Sequence, residues 1–279
     1  MKKSHIFIVL ALNITILSGC GSIDPAESEP SNTLISDQTA VTDISDIYVD
    51  NVEVHTEETE IASEITTEMT TTGKAPLVTV STLPESFQID VEPIMQEPEL
   101  PTGCEITSLT CLLNYLGFKV DKVVMADTYL DSVMENGTNY SFFEKYIGDP
   151  HADGYGCYSP VIMKAATEYL ADQNSSLEPV NLSGSTKEEL FYVIASNHPI
   201  VIWNTVYAQY VEGQYAWTKP DGEDVYWNNY EHCMLLSGYD IPANTVTLCD
   251  PLRGEVQYDI DQFFAVYDEL MYQQAMTIY

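Results

Sequence analysis

Apolar side chains recur at Ile106, Leu109, Leu112, Leu113 and Leu116. Steps of three and four put them on one face, which predicts a helix, and Gly117 supplies its stop. Thr102 and Glu105 have the spacing of an S/T-x-x-E capping box, which predicts Thr102 as N-cap and Cys104 at the second helical position. Similar patterns predict helices over residues 120–134, 160–173, 186–197 and, last, 261–270. Between them lies a β-rich stretch, with strands expected at 200–207, around 214–218, and at 232–239, 245–250 and 255–258. Helices first and strands later predict an α+β domain, its N-terminal helices packed on a mainly antiparallel β-sheet.

The pattern stops upstream of about residue 86. Residues 21–85 are rich in Ser, Thr, Glu and Asp, contain no Trp or Phe, and carry Lys74 as their one basic residue. Such a segment cannot bury enough apolar surface to offset its ordering entropy, so 20–85 is expected to be a disordered acidic stalk. Residues 1–19 begin Met-Lys-Lys, run apolar from Ile6 to Leu17, and end Leu-Ser-Gly before Cys20. A basic start and a short apolar run read as a secretory signal rather than a membrane span. The Leu-Ser-Gly-Cys end resembles a bacterial lipobox, which implies lipid attachment at Cys20. The expected product is exported and lipid-anchored to the outer face of the bacterial cell membrane. Residues 86–279, with all three tryptophans and five of the six cysteines, form the one domain with a core.

Charge narrows the function. With 10 basic against 43 acidic side chains, the net charge is -33 over 279 residues. That field repels nucleic acid and favours cationic partners, and it also serves solubility. No basic patch or Gly-rich phosphate loop appears, which sets nucleic-acid and nucleotide roles aside.

Three residues far apart then suggest chemistry. A thiol in the first turn of a helix meets the positive end of the macrodipole, which is expected to lower its pKa. It also needs a base and a group that orients the base. His232 begins one predicted strand and Asp250 ends the next, so a hairpin between them would bring the two together. Period-two alternation then leaves Cys233 and Cys249 on the opposite face, as a cross-strand disulfide or as two buried thiols.

Five motifs in order carry a resemblance. They are Gln96-Glu-Pro-Glu-Leu-Pro-Thr-Gly-Cys-Glu-Ile-Thr-Ser108, Tyr155-Gly-Cys-Tyr-Ser-Pro160, His198-Pro-Ile-Val-Ile-Trp203, Glu231-His-Cys-Met-Leu-Leu-Ser-Gly-Tyr-Asp240 and Cys249-Asp-Pro-Leu-Arg-Gly254. Together they resemble the papain-fold cysteine peptidase-like domains related to the bacteriocin-leader (double-glycine) peptidases, over about residues 88–279. The resemblance implies Cys104 as nucleophile, His232 as general base and then acid, and Asp250 as its orienter. It implies Gln96 and the Cys104 backbone N–H as oxyanion donors. Gln96 stands eight residues before Cys104, where the papain-type pattern has six, and the Pro-rich 97–101 segment would absorb the difference. No metal and no cofactor are implied.

Gly103, Trp217 and Trp227 are assigned to substrate binding. The aromatic 215–227 segment either overhangs the cleft or forms a hairpin packed on the core. Cys111 reads as core, and Cys157 as core, site-lining thiol or half a disulfide. His151 and His198 read as loop or element-end residues, and no C-x-x-C or H-E-x-x-H spacing supports zinc. The expected function is an extracytoplasmic cysteine peptidase acting on peptide or isopeptide bonds of a peptide or protein, cationic ones included. The alternatives are a non-catalytic binding or scaffolding lipoprotein on the same fold, and a transglutaminase- or amidase-like acyl-transfer enzyme.

Overall fold

The structure, a computed structural model, describes residues 82–134, 137–152 and 154–279. The predicted signal, Cys20 and nearly all of the predicted stalk lie outside the described residues. No helix among the described residues is long and apolar enough to cross a membrane.

The apolar face that opens the sequence pattern becomes helix α1 (Cys104–Tyr115), with Ile106, Leu109, Leu112 and Leu113 fully buried. Helix α2 (Lys122–Tyr129) starts at Asp121, whose carboxylate accepts from the amides of Val123 and Val124. Helix α3 (Ser159–Asp172) has a proline in its first turn, and α4 (Lys187–Ala195) opens on a capping box of Thr186 and Glu189. Helix α5 (Ile260–Leu270) is capped by Asp259.

The strands in chain order are β1 (Ser86–Gln88), β2 (Ser132–Val133), β3 (Tyr146–Gly148), β4 (Gly154–Gly156), β5 (Pro179–Asn181) and β6 (Ile200–Thr205). They continue with β7 (Gln214–Thr218), β8 (Asp224–Trp227), β9 (Glu231–Asp240), β10 (Thr245–Asp250), β11 (Gly254–Asp259) and β12 (Ala275–Ile278). Seven of them form the main sheet in the order β11-β10-β9-β6-β12-β5, with antiparallel neighbours. Strand β1 pairs with β9 at Asp240–Gly238, beyond the point where β6 stops at Leu236. β2, β3 and β4 make a small second sheet, and β7 with β8 a separate hairpin.

The middle of the main sheet is covered on both faces, so every residue of β6 and nearly all of β9 and β10 are buried. Near the start of β9, Ser108 Oγ of α1 donates to the Cys233 carbonyl at 3.2 Å. Near its end, Phe191 of α4 stacks on Tyr239 with ring centroids 4.2 Å apart. Strand β9 is therefore packed against α1 near its start and against α4 near its end.

The α+β architecture with a mainly antiparallel sheet expected from the sequence is the one found. The predicted 120–134 helix, however, ends at Tyr129. Leu130 turns extended, Asp131 pairs with Lys145 at 2.5 Å and with Lys164, and β2 joins β3 in parallel. These long-range pairs override the local helical pattern. The five described cysteines are all free, so the Cys233–Cys249 disulfide is not formed. The two are also out of register: Cys249 faces Leu235, and its thiol donates to the Val91 carbonyl at 3.6 Å.

Candidate active site

The cap of α1 differs from the sequence expectation. Its N-cap is Gly103, and Cys104 is the first helical residue rather than the second. Thr102 Oγ1 instead donates toward the carbonyls of Asp149 and Ala152, at 3.1 Å each. Glu105 turns inward, where its Oε1 accepts from the Cys157 amide at 2.7 Å. A Cβ on Gly103 would lie 2.9 Å from Leu100 Cβ, so the helix start depends on the close approach that glycine permits.

Cys104 is 7% exposed. Its sulfur accepts from the Cys233 amide at 3.4 Å and donates to Glu105 Oε2 at 3.3 Å. One residue before Cys233 on β9 stands His232, 2% exposed, with Nε2 2.8 Å from Asp250 Oδ1. Asp250 is fully buried. Its Oδ1 also accepts from the Leu252 amide at 2.8 Å, and its Oδ2 receives Arg253 Nε at 2.8 Å and Nη2 at 2.6 Å. Burial alone would raise the Asp250 carboxyl. The hydrogen bonds from His232, Leu252 and Arg253 outweigh it and hold the carboxyl below its ordinary value. An ionised Asp250 accepts the Nε2 proton, which leaves the lone pair of His232 on Nδ1.

Cys104, His232 and Gln96 line one cavity of about 270 Å³, with Thr102, Gly154, Tyr155, Trp227, Asn228, Glu231 and Leu252 among its other walls. No hydrogen bond joins Cys104 to His232, because the thiol proton goes to Glu105.

Gln96 reaches the cavity despite its two surplus residues. They are taken up in tight turns closed by Leu100 N to Gln96 O (3.0 Å) and Gly103 N to Leu100 O (3.0 Å). One amide hydrogen of Gln96 goes to the Pro101 carbonyl at 2.8 Å, and its Oε1 is buried without a partner. The turn is tied down by Lys122, 9% exposed, which donates to the carbonyls of Met95 at 2.5 Å and Gln96 at 2.8 Å and pairs with Glu99 at 2.7 Å. Lys122→Met leaves these acceptors unmet and is expected to cost about 1–3 kcal/mol in urea unfolding. A loss indistinguishable from zero would show that the turn holds without the lysine.

Of the residues assigned to substrate binding, Trp227 is in the cavity wall and stacks on Phe142 with centroids 4.1 Å apart. Trp217 is not: it packs on Phe142 at 5.1 Å and donates to the Tyr140 carbonyl. In a hairpin, alternate residues face opposite ways, and the β7–β8 register shifts between Tyr215 and Trp217. Gly103 lies behind the wall, as the helix cap. Gly156 adopts φ +145°, and a Cβ there would stand 2.5 Å from Glu105 Oε1 and 2.8 Å from Trp227. His151 pairs with Asp127 at 2.7 Å in an exposed position, and His198 packs on Tyr279. Cys157 is buried core behind Glu105.

The electrostatics of the thiol reverse the expectation from the helix dipole. Burial first, and then the Glu105 and Glu231 carboxyls, push the Cys104 thiol well above its ordinary value. The macrodipole acts over one turn with modest energy, and desolvation exceeds it. Burial also raises Glu105 to about 7, against the hydrogen bonds it accepts, and raises Glu231 well above its ordinary value, with Glu105 adding to it. The sequence pattern offers Glu105 only as a helix cap and does not mark Glu231 or Arg253, although Glu105 adjoins Cys104, Glu231 adjoins His232 and Arg253 follows Asp250 by three residues.

A carboxyl that is protonated in the fold and ionised in the unfolded chain lowers stability as pH rises. Between the ordinary 4.5 and about 7 the unfolded chain gives up a proton that Glu105 keeps. The contribution is thus complete below 4.5 and lost as pH climbs to 7, a fall of about 3 kcal/mol. Urea unfolding across this window should be flatter in Glu105→Gln by that amount. Parallel slopes in the two proteins would remove Glu105 as the cause.

A sequence model of the Peptidase_C39 like family matches residues 88–275. The uncharacterized protein YvpB of Bacillus subtilis (strain 168) is 27% identical over 149 residues, which cover 52% of this chain and 57% of YvpB. The alignment thus spans little more than half the length of that relative. A crystal structure described as a C39-like peptidase from Bacillus anthracis superimposes with a TM-score of 0.62 at 29% identity, over 70% of this chain and 97% of that one. Xylellain, a cysteine protease from Xylella fastidiosa, gives a TM-score of 0.38 at 13% identity, over 71% and 87% of the two chains.

Proposed function

Because the chain belongs to the Peptidase_C39 like family, we propose that it is a cysteine peptidase that hydrolyses peptide bonds through Cys104, His232 and Asp250. The observation that carries this reading is the 2.8 Å bond from His232 Nε2 to buried Asp250, made in a cavity that His232 shares with the Cys104 thiol. In the reaction, the Sγ–H of Cys104 turns from Glu105 to His232 Nδ1 and gives up its proton there as a substrate carbonyl enters, and Sγ attacks the carbonyl carbon. The oxyanion takes the Cys104 N–H, one of the open amides of the α1 start, and the second amide hydrogen of Gln96. Collapse expels the amine, which takes the proton from His232, and water then hydrolyses the thioester. Trp227 and Tyr155 present an aromatic wall to the substrate. An exported protein anchored through lipid on Cys20 is part of the same proposal, as is a peptide or protein partner of positive charge.

One observation favours a second reading, a binding protein on a retained peptidase fold. The thiol donates to Glu105 rather than to His232 and is held protonated. Cleavage profiling of a peptide library by the full chain, with iodoacetamide modification followed against pH, separates the two. Cleavage at defined bonds supports the peptidase. Absence of any cleavage, together with a thiol that reacts only far above neutral pH, would leave the binding protein.

A further inference from the structure

Beside the nucleophile stand two carboxyls that the proposed hydrolysis does not need. Glu105, 0% exposed, follows Cys104 on α1, and Glu231 precedes His232 on β9. One donor atom from each of Cys104, Glu105 and Glu231 lies within 4.8 Å of the other two. Cys104 Sγ and Glu105 Oε2 are already 3.3 Å apart. Around a tetrahedral zinc, with bonds of about 2.3 Å to sulfur and about 2.0–2.2 Å to oxygen, such donors stand roughly 3.5 Å apart. Two of the three therefore have ligand spacing as they stand, and the third needs a side-chain shift of about an ångström.

A second observation points to a ligand. Glu231 Oε1 is shut off from solvent and has no hydrogen-bond partner. Gln96, 2% exposed and lining the same cavity, brings another oxygen in the same condition. Unpartnered buried oxygens cost free energy, and here they sit beside a thiol at the wall of a cavity that opens a path for an ion. No lysine or arginine stands among the described residues that line the cavity with Cys104 and Glu231.

We propose that Cys104, Glu105 and Glu231 form a zinc site, with cavity water as the fourth ligand, that reversibly takes the nucleophile out of action. Zinc is borderline soft and accepts this mixture of one thiolate and two carboxylates, which a hard cation such as magnesium does not favour. On binding, the ion replaces the thiol proton and any proton on the carboxyls, and these pass to solvent. The inhibitory consequence rests on the reading of Cys104 as nucleophile; the binding itself does not.

The test uses the full chain, reduced and stripped with EDTA, then titrated with zinc chloride against a chromophoric chelator. The expected result is one zinc ion bound tightly, with Cys104 shielded from iodoacetamide once it is bound. Glu231→Gln and Glu105→Gln should each weaken binding at least ten-fold, since an amide is a poor ligand of the same shape. The idea is overturned if zinc leaves Cys104 alkylation unchanged, or if both glutamine variants bind zinc as the wild type does. Should either variant fail to fold, cobalt in the wild type decides. A charge-transfer band of one thiolate, lost in Cys104→Ser, supports the site; no band, or one that survives in Cys104→Ser, overturns it. Hydrolysis measured in EDTA keeps the two readings apart. Cleavage without zinc binding removes only the metal site, and zinc binding without cleavage removes only the peptidase.

Discussion

Cys104→Ala is expected to fold as the wild type does and to lose both peptide hydrolysis and labelling by a thiol-directed epoxide. The fold should tolerate the change because little rests on the sulfur. Its contacts are one weak bond to Glu105 and one from the Cys233 amide, on a residue already paired across β6 and β9. Removing the thiol also removes an acidic group that Glu105 and Glu231 disfavour in its charged form. Chemistry should not tolerate it, since no other described cysteine lines the cavity. Loss of a nucleophile that acts as one unit with its base lowers kcat by about 10⁶-fold in the best-measured triad. A fall of that order, with an unchanged melting temperature, is the expected outcome. Equal epoxide labelling of the two proteins would mean that the reactive thiol is elsewhere.

Substitution of Asp250 should separate stability from catalysis. In Asp250→Ala, Arg253 loses both of its hydrogen bonds to a carboxylate that is fully buried, and the Leu252 amide and His232 lose theirs. Breaking a buried pair by removing one partner costs about 3–5 kcal/mol. Asp250→Asn keeps an acceptor for Arg253 at the Oδ2 position and puts its NH2 at the Oδ1 position, where the Leu252 amide loses its acceptor and His232 Nε2 meets an N–H. The imidazole then moves its proton to Nδ1, the nitrogen that must receive the thiol proton. Hydrolysis should fall by about 10⁴-fold, more than the modest loss of stability explains. The pH dependence carries a sign. A carboxyl held below its ordinary value stabilises the fold above the unfolded pKa and loses that contribution as pH falls through the lowered one. Acid unfolding below about pH 4 should therefore be shallower in Asp250→Asn. Wild-type hydrolysis in the asparagine variant would dismiss Asp250 as the orienter of His232.

How much of this was legible in the sequence depends on range. Helix α1 and strands β9 and β10 were, because their apolar residues repeat over a dozen or fewer neighbours with one period. So was the pairing of His232 with Asp250, because a hairpin is local. The short strands β2 to β5 were not: each has two or three residues and takes its partner from elsewhere in the chain. The Thr102–Glu105 capping box failed for the same reason. Both side chains found distant partners, Thr102 at Asp149 and Ala152 and Glu105 at Cys157, that outcompeted the local exchange. Glu231 was hidden by the rule that found His232. Strict alternation sends neighbours to opposite faces, yet at the first residue of β9 the carboxyl comes within reach of Cys104. The thiol's acidity was misjudged because a helix end is visible in a sequence and a desolvated pair of carboxyls is not.

The join of β1 to β9 has a mechanical meaning. The described chain enters through Pro84, whose carbonyl accepts from the Tyr239 hydroxyl, and through Glu85, whose carbonyl accepts from the Ile241 amide. It then pairs along Ser86–Gln88 with the last three residues of β9, while His232 stands at the first turn of that strand's path, roughly 27 Å away at about 3.4 Å per residue. A pull on the chain upstream of residue 82 is thus carried by the far end of the strand. The ladder there, together with the bond from Gln88 to Ser237, would have to shear before any load reached the end that carries His232. Within the described residues, the point where the chain enters and the cavity wall are thus set at opposite ends of one strand.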